Sequence, residues 1–223
     1  NDQDFDIKFE FKCGDSYNQD TTIIYLEDAE MESSLPIDKC VRISVDCDST
    51  FVASLGSTGA VKNYIQNIFN MTSTLYGIEN VSVSISDIHY WVNSDPFRGD
   101  SSSNALWDLG IYYAIPGSYN GNVLHLLAVD AGANGGLAQL SSICGGLGYS
   151  DLKGNEPVGN FTFPTYTWDV SVLTHELGHN FGSQHTHDCV WNGNNTSIDG
   201  CGPNAGAIPS PGGCSIGPIP GAN

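Results

Sequence analysis

Apolar and polar residues alternate in the stretch KCVRISVDC, residues 39–47, where Val41, Ile43 and Val45 take every second position. A period of two places the three side chains on one face and predicts the first core strand. The period then lengthens. Across residues 57–77, Val61, Ile65, Ile68, Phe69, Thr72, Leu75 and Tyr76 recur at helical spacing, and Gly77 stands at the expected stop. Alternation returns in NVSVSISDIHYWV, residues 80–92, as a second strand. A loop, SDPFRGDSSS, leads into a second helix over SNALWDLGIYYAI. NVLHLLAVDA, residues 122–131, is almost continuously apolar, as a strand buried on both faces should be. GGLAQL, residues 135–140, reads as a shorter strand flanked by glycines. TYTWDVSVLTHELGHNFG is the third helix, with Thr167 as N-cap and Gly182 at its end.

Strand, helix, strand, helix, strand, strand, helix is an α/β order, and it predicts a mixed, mostly parallel sheet covered by helices. Two flanks lie outside this pattern. Residues 1–38 are acidic and irregular apart from one alternating patch, DFDIKFEFK, and are read as an N-terminal extension or pro-region remnant. Residues 39–182 form the main unit. Residues 183–223 turn rich in Gly, Pro and Asn, with three cysteines and no periodicity. That segment is expected to be an irregular C-terminal subdomain held by disulfides or a metal, since it has little apolar surface to bury.

Charge narrows the function classes. Twenty-five acidic residues against seven basic ones give a formal net charge of −18. Such a surface repels phosphate backbones and anionic lipid, so no nucleic-acid partner is expected. No apolar run approaches the ~18 residues that a membrane span needs, and none is expected. Cysteines 13, 40, 47, 144, 189, 201 and 214 form no C-x-x-C pair, which speaks against a zinc finger or a thioredoxin-type site. Dispersed cysteines favour disulfides and an oxidising compartment, so a secreted, extracellular protein is expected. Five N-x-S/T sequons, at Asn70, Asn80, Asn160, Asn194 and Asn195, fit that location, though chance matches are common in so Asn-rich a chain.

The chemistry concentrates in VLTHELGHNFGSQHTHDC, residues 172–189. Residues four apart share a helix face, so His175 and His179 present two imidazoles to one point. Glu176 falls on the adjacent face, where its carboxylate reaches a water on the metal without ligating. Gly182, three residues past His179, takes the positive φ that ends the helix and brings His185 back as third ligand. H-E-x-x-H-x-x-G-x-x-H therefore encodes three ligands, one base and the turn between them. Three protein ligands leave a fourth zinc position open, the mark of a catalytic rather than a structural site. The metal activates water and polarises a carbonyl, and Glu176 carries the proton to the leaving amine. The substrate this chemistry suits is a peptide bond. A bare HExxH also occurs on solvated helix faces, but the full eleven-residue pattern at the end of an apolar-faced helix is far more specific. His187 lies outside the spacing and reads as a surface or supporting group. His125 and His89, on strands, read as core histidines. A Ca²⁺ site in the Asn/Asp-rich loop from Asn192 to Asp199 is a further option, although its spacing matches no EF-hand and a solvated loop competes with it.

These residues resemble the metzincin zinc endopeptidases, and within them the adamalysin/reprolysin-like family of bacterial secreted type. HELGHNFGSQH matches the long zinc motif completely, and HLLAVDAGANGGLAQLSSIC is similar to that family's strand, edge strand and cysteine. The likeness spans roughly residues 39–190. It implies a metzincin-type catalytic domain and a secreted zinc endopeptidase acting on peptide or protein substrates. It also implies that Gly136, Leu137, Ala138, Gln139 and Leu140 form an antiparallel edge strand that pairs with an extended substrate; an edge strand without a ligand is the plain alternative. Two features depart from the pattern. Thr186 follows the third histidine where adamalysins carry Asp, which is similar instead to the pappalysins. Metzincins place a methionine turn beneath the zinc, yet the only methionines are Met31 and Met71, both upstream. A C-terminal segment carrying that turn is therefore expected to be missing, with Cys144 left as its unpaired partner. KCGD, residues 12–15, resembles a pro-segment cysteine switch, in which Cys13 would occupy the open zinc position. Given the oxidising context, a disulfide from Cys13 to Cys40 or Cys47 is the reading we expect. From another class, a non-catalytic zinc-stabilised binding or adhesion module, an inactive fragment and a latent zymogen stand as alternatives to the peptidase.

Overall fold

A computed structural model describes residues 40–115, 117–129, 135–155 and 166–198. Its elements run in the order β1 (Cys40–Cys47), α1 (Ser49–Leu55), α2 (Thr58–Ile78), β2 (Ser82–Tyr90), α3 (Ser102–Tyr112), β3 (Val123–Ala128), β4 (Gly136–Ala138), β5 (Gly146–Asp151) and α4 (Trp168–Asn180). The strands make one sheet in the order β2-β1-β3-β5-β4. Every pairing is parallel except that of β4 with β5. The mixed, mostly parallel sheet is thus as expected from the alternation of periods.

Helices cover both faces. Val123 and Leu127 of β3 pack with Val41, Ile43, Val45 and the apolar faces of α1, α2 and α4. Leu124, Leu126 and Ala128, one residue out of phase, meet Ala105 and Leu109 of α3 together with Tyr149. Burial on both faces explains why β3 is continuously apolar rather than alternating. The described residues place β2 at one edge and β4 at the other, and β4 borders the histidine helix.

Two elements escaped the sequence pattern. α1 is seven residues long, nucleated by Asp48, whose carboxylate accepts the Phe51 amide at 2.7 Å; so short a helix shows too little periodicity. β5 carries glycines at 146 and 148, a composition that reads as loop. Those glycines are needed because other chain segments fill the side-chain space. An ideal Cβ on Gly148 would press against the His125 ring, its Cε1 at 2.7 Å, and one on Gly146 would press into Ser142. At the end of α2 the chain does not stop at Gly77. The helix continues to Ile78, and the left-handed position falls on Asn80 at φ 57°.

Three further expectations change. His89 is exposed, not core, because β2 is an outer strand; its ring packs edge-on against Trp91 at 4.9 Å. Cys144 is disulfide-bonded, as is Cys189, so Cys144 is not a partner left unpaired. Cys40 and Cys47 are free thiols, which removes both of the disulfides considered for Cys13. Cys13 itself lies outside the described residues, as do residues 1–39 as a whole. No described helix is long and apolar enough to cross a membrane.

Candidate metal centre and substrate cleft

α4 starts where Thr167 accepts the Val170 amide at 3.2 Å and Asp169 places a carboxylate in the first turn. Asp169 is fully buried. It accepts hydrogen bonds from the Tyr64 hydroxyl at 2.6 Å and from the Lys153 and Gly154 amides at 2.8 and 3.0 Å. These bonds fasten the start of α4 to α2 and to the chain after β5. Midway, Tyr76 donates to the Thr174 carbonyl at 2.6 Å, and its ring meets Phe181 edge-on at 4.8 Å. One face of α4, through Val170, Leu173 and Leu177, is core. The other carries His175, Glu176 and His179.

The helix ends at Asn180, and Gly182 takes φ +101°, the turn the motif required. An L side chain is strained there, and an ideal Cβ would also lie 2.9 Å from the Ser141 hydroxyl. The turn returns His185 to the helix face. Ligand atoms of His175, His179 and His185 all lie within 4.8 Å of one another. The Nε2 atoms of His175 and His179 stand 3.0 Å apart. Nitrogens bound ~2.0–2.1 Å from a tetrahedral zinc are separated by roughly 3.3 Å, so this donor set fits the ion in spacing and in ligand type.

Neighbouring groups orient the rings. His179 Nδ1 donates to the Ser183 carbonyl at 2.8 Å, which leaves Nε2 as the lone-pair nitrogen. His185 Nδ1 stands 3.5 Å from Asp188 Oδ2, and its backbone amide donates to the same oxygen at 3.0 Å. Trp191 Nε1 donates to the His185 carbonyl at 2.8 Å, and the His187 ring stacks on His185 at 5.0 Å. Burial, then the proximity of His179 and His185, lowers the His175 pKa to about 4. Burial likewise lowers that of His185. Both shifts favour the neutral imidazole, the form that binds metal.

Glu176 is only 4% exposed, and Oε2 has no hydrogen-bond partner. Desolvation raises its pKa to about 7, the range in which a carboxyl both takes and returns a proton at neutral pH. Gly136 explains how the edge strand can pass so near. An ideal Cβ there would clash with the Glu176 side chain, at 2.6 Å from both Cδ and Oε1. A cleft of about 400 Å³ opens between β4 and α4, lined by Gly135, Gly136, Leu137, Trp168, Val172 and the histidine–glutamate group.

The structure thus brings His175, Glu176, His179 and His185 together, with Gly136 and Leu137 across the cleft. The edge strand is shorter than expected. Only Gly136–Ala138 are strand. Gln139 still donates its amide to the Leu147 carbonyl at 3.0 Å, whereas Leu140 sits in the turn beyond and is 47% exposed. His125 is buried on β3 and shares a hydrogen bond with Ser150 at 2.8 Å, but its Nδ1 has no partner, so it is a core histidine only half satisfied. In the 192–198 turn, Asn194 and Thr196 side chains bond within the loop, and Asp199 lies outside the described residues. Sequence reasoning passed over Asp188, Asn180 and Trp191. Asp188, three residues past His185, was the one with a local signal. Residues 38–217 match the profile of metallo-peptidase family M12, in agreement with the reprolysin-like resemblance of the histidine segment.

Proposed function

The chain belongs to metallo-peptidase family M12, whose members use zinc, and from that premise we propose that it hydrolyses internal peptide bonds of extended protein segments. The observation that carries the reading is the convergence of three imidazoles beside a buried carboxyl lacking a partner, on one wall of a cleft whose other wall is a strand edge. His175, His179 and His185 would hold the zinc. When bound, zinc polarises the scissile carbonyl and lowers the pKa of water.

The chain's own groups do the rest. β4 supplies backbone donors and acceptors along which an extended peptide adds as a further strand. Glu176 accepts a proton from the attacking water and returns it to the departing amine. Ser183 and Asp188 keep the ligand rings turned toward the metal. Disulfide-bonded Cys144 and Cys189 support an oxidising, extracellular location.

The test is cleavage of a denatured protein by the zinc-loaded chain, with and without chelator, beside Glu176→Gln. The variant is expected to keep its zinc and lose roughly 10²–10⁴-fold in kcat. Retained activity in Glu176→Gln would end the proposed mechanism. Zinc binding without cleavage by the unsubstituted chain would favour the binding-module reading instead.

A further inference from the structure

The two walls of the cleft come from distant parts of the chain, and one side chain bonds across them. Asn180, fully buried, follows His179 directly. Its Nδ2 lies 3.0 Å from the Gln139 carbonyl, the Ser142 hydroxyl and the Leu147 carbonyl. Two of those acceptors are backbone carbonyls, which only an amide nitrogen can satisfy, so the orientation of the side chain follows from its surroundings. The backbone repeats the link. Ser141 donates its amide to the His179 carbonyl and Ser142 to the Asn180 carbonyl, each at 2.9 Å.

These bonds are more than a helix terminus needs. α4 already has its own ending, in which the Phe181, Gly182 and Ser183 amides return to Leu177, His179 and Gly178 at 2.9–3.0 Å. The Asn180 amide reaches past that ending to the chain just beyond β4, at residue 139, and to β5 itself, at residue 147. Gly148 makes the approach possible, since an ideal Cβ there would stand 3.2 Å from Asn180 Oδ1.

We propose that Asn180 is a positioning residue that fixes edge strand β4 at a set distance from the metal-binding helix, so that a peptide paired with β4 presents its scissile bond to His175, His179 and Glu176. The inference rests on the peptidase reading. It assigns Asn180 no contact with substrate or metal. Its effect passes through β4 to the substrate backbone, so its loss weakens the hold on extended peptides more than the chemical step.

Two variants test it. Asn180→Asp keeps the shape but removes both amide hydrogens and sets a carboxylate against two carbonyls. Ser142→Ala removes one acceptor of the Asn180 amide, together with the hydroxyl's own donation to the Gln139 carbonyl at 2.8 Å, at a partly exposed position, and leaves the core untouched. Both are compared with the unsubstituted zinc-loaded chain. The readouts are zinc content, hydrogen exchange over residues 136–148, the visible spectrum after Co²⁺ replacement, and steady-state kinetics on an eight-residue peptide. Ser142→Ala is expected to raise KM about tenfold, the order of magnitude for losing one or two exposed-edge hydrogen bonds, with kcat changed less than about twofold. Zinc content and Co²⁺ spectrum stay unchanged, and exchange over 136–148 quickens. Asn180→Asp is expected to do the same more strongly. Unchanged exchange and KM in both variants would overturn the proposal, as would a fall in kcat or zinc content at constant KM. If the unsubstituted chain fails to cleave the peptide, the peptidase reading falls, and the exchange measurement still decides whether Asn180 holds β4.

Discussion

At the scale of single residues, burial without a charged partner keeps one core histidine neutral. His125 is fully buried, and desolvation lowers its pKa to about 3. In the unfolded chain it returns to about 6.5. Above that value both states are neutral, and the residue contributes nothing to pH dependence. Below it the unfolded state takes up a proton that the folded state refuses, so stability falls as the pH drops toward 3. The loss at pH 4 is on the order of 3 kcal/mol. Chemical denaturation at pH 7 and pH 4 is expected to show a smaller difference for His125→Gln than for the unsubstituted chain. Equal slopes would mean that His125 is protonated in the fold. The metal ligands were the most legible residues in the sequence because their geometry is local: spacings of four and six residues place them through one helix and one glycine. Asn180 was not legible, because its partners lie 33 to 41 residues away.

At the scale of elements, the functional distance is the one between β4 and α4. The sequence pattern showed both, since Gly136–Ala138 sits in a distinct glycine-bounded stretch and α4 has a capping threonine and a terminal glycine. It did not show β5 between them, whose glycines answer to His125 and Ser142 rather than to their neighbours in the chain. The edge strand is also shorter than the glycine-bounded stretch 135–140, with only Gly136–Ala138 paired to β5. Leu140 continues the apolar pattern two residues past Ala138, but Ser141 and Ser142 are drawn away to the end of α4 and turn the chain. Gly136 is the tightest point of this contact. Gly136→Ala sets a methyl group against the Glu176 carboxylate, so the strand or the base has to move. The expected result is a protein with near-normal melting temperature and zinc content whose kcat falls at least about tenfold, since small displacements of a positioned base are costly. Full activity in Gly136→Ala would show that β4 has slack against α4.

At the scale of the whole molecule, the excess of acidic residues sets a long-range field. With a net charge of −18, the chain attracts cationic peptides and repels anionic ones before any contact forms. Salt screens that field over about 10 Å at 0.1 M. For peptides differing only in flanking residues, kcat/KM is expected to fall with added salt when the flanks are Lys and Arg and to rise when they are Asp and Glu. Equal salt dependence for the two would mean that the field at the cleft is weak despite the net charge. This property was fully legible in composition. Which cleft it serves was not, because the sheet brings residue 136 next to residue 176 only in the folded chain.

The ligand-bearing stretch from His175 to His185 has a temporal consequence. It closes a loop of only about ten residues, whose closure costs little chain entropy. The opposing rail needs β3, β5 and β4 assembled in register, and pairings between distant segments form late. Refolding with zinc present should therefore show metal uptake, read by a chromophoric chelator, ahead of peptide cleavage. Between the two events the chain would be a metal carrier that does not yet cut, a useful order for a protease that is itself a peptide while it folds.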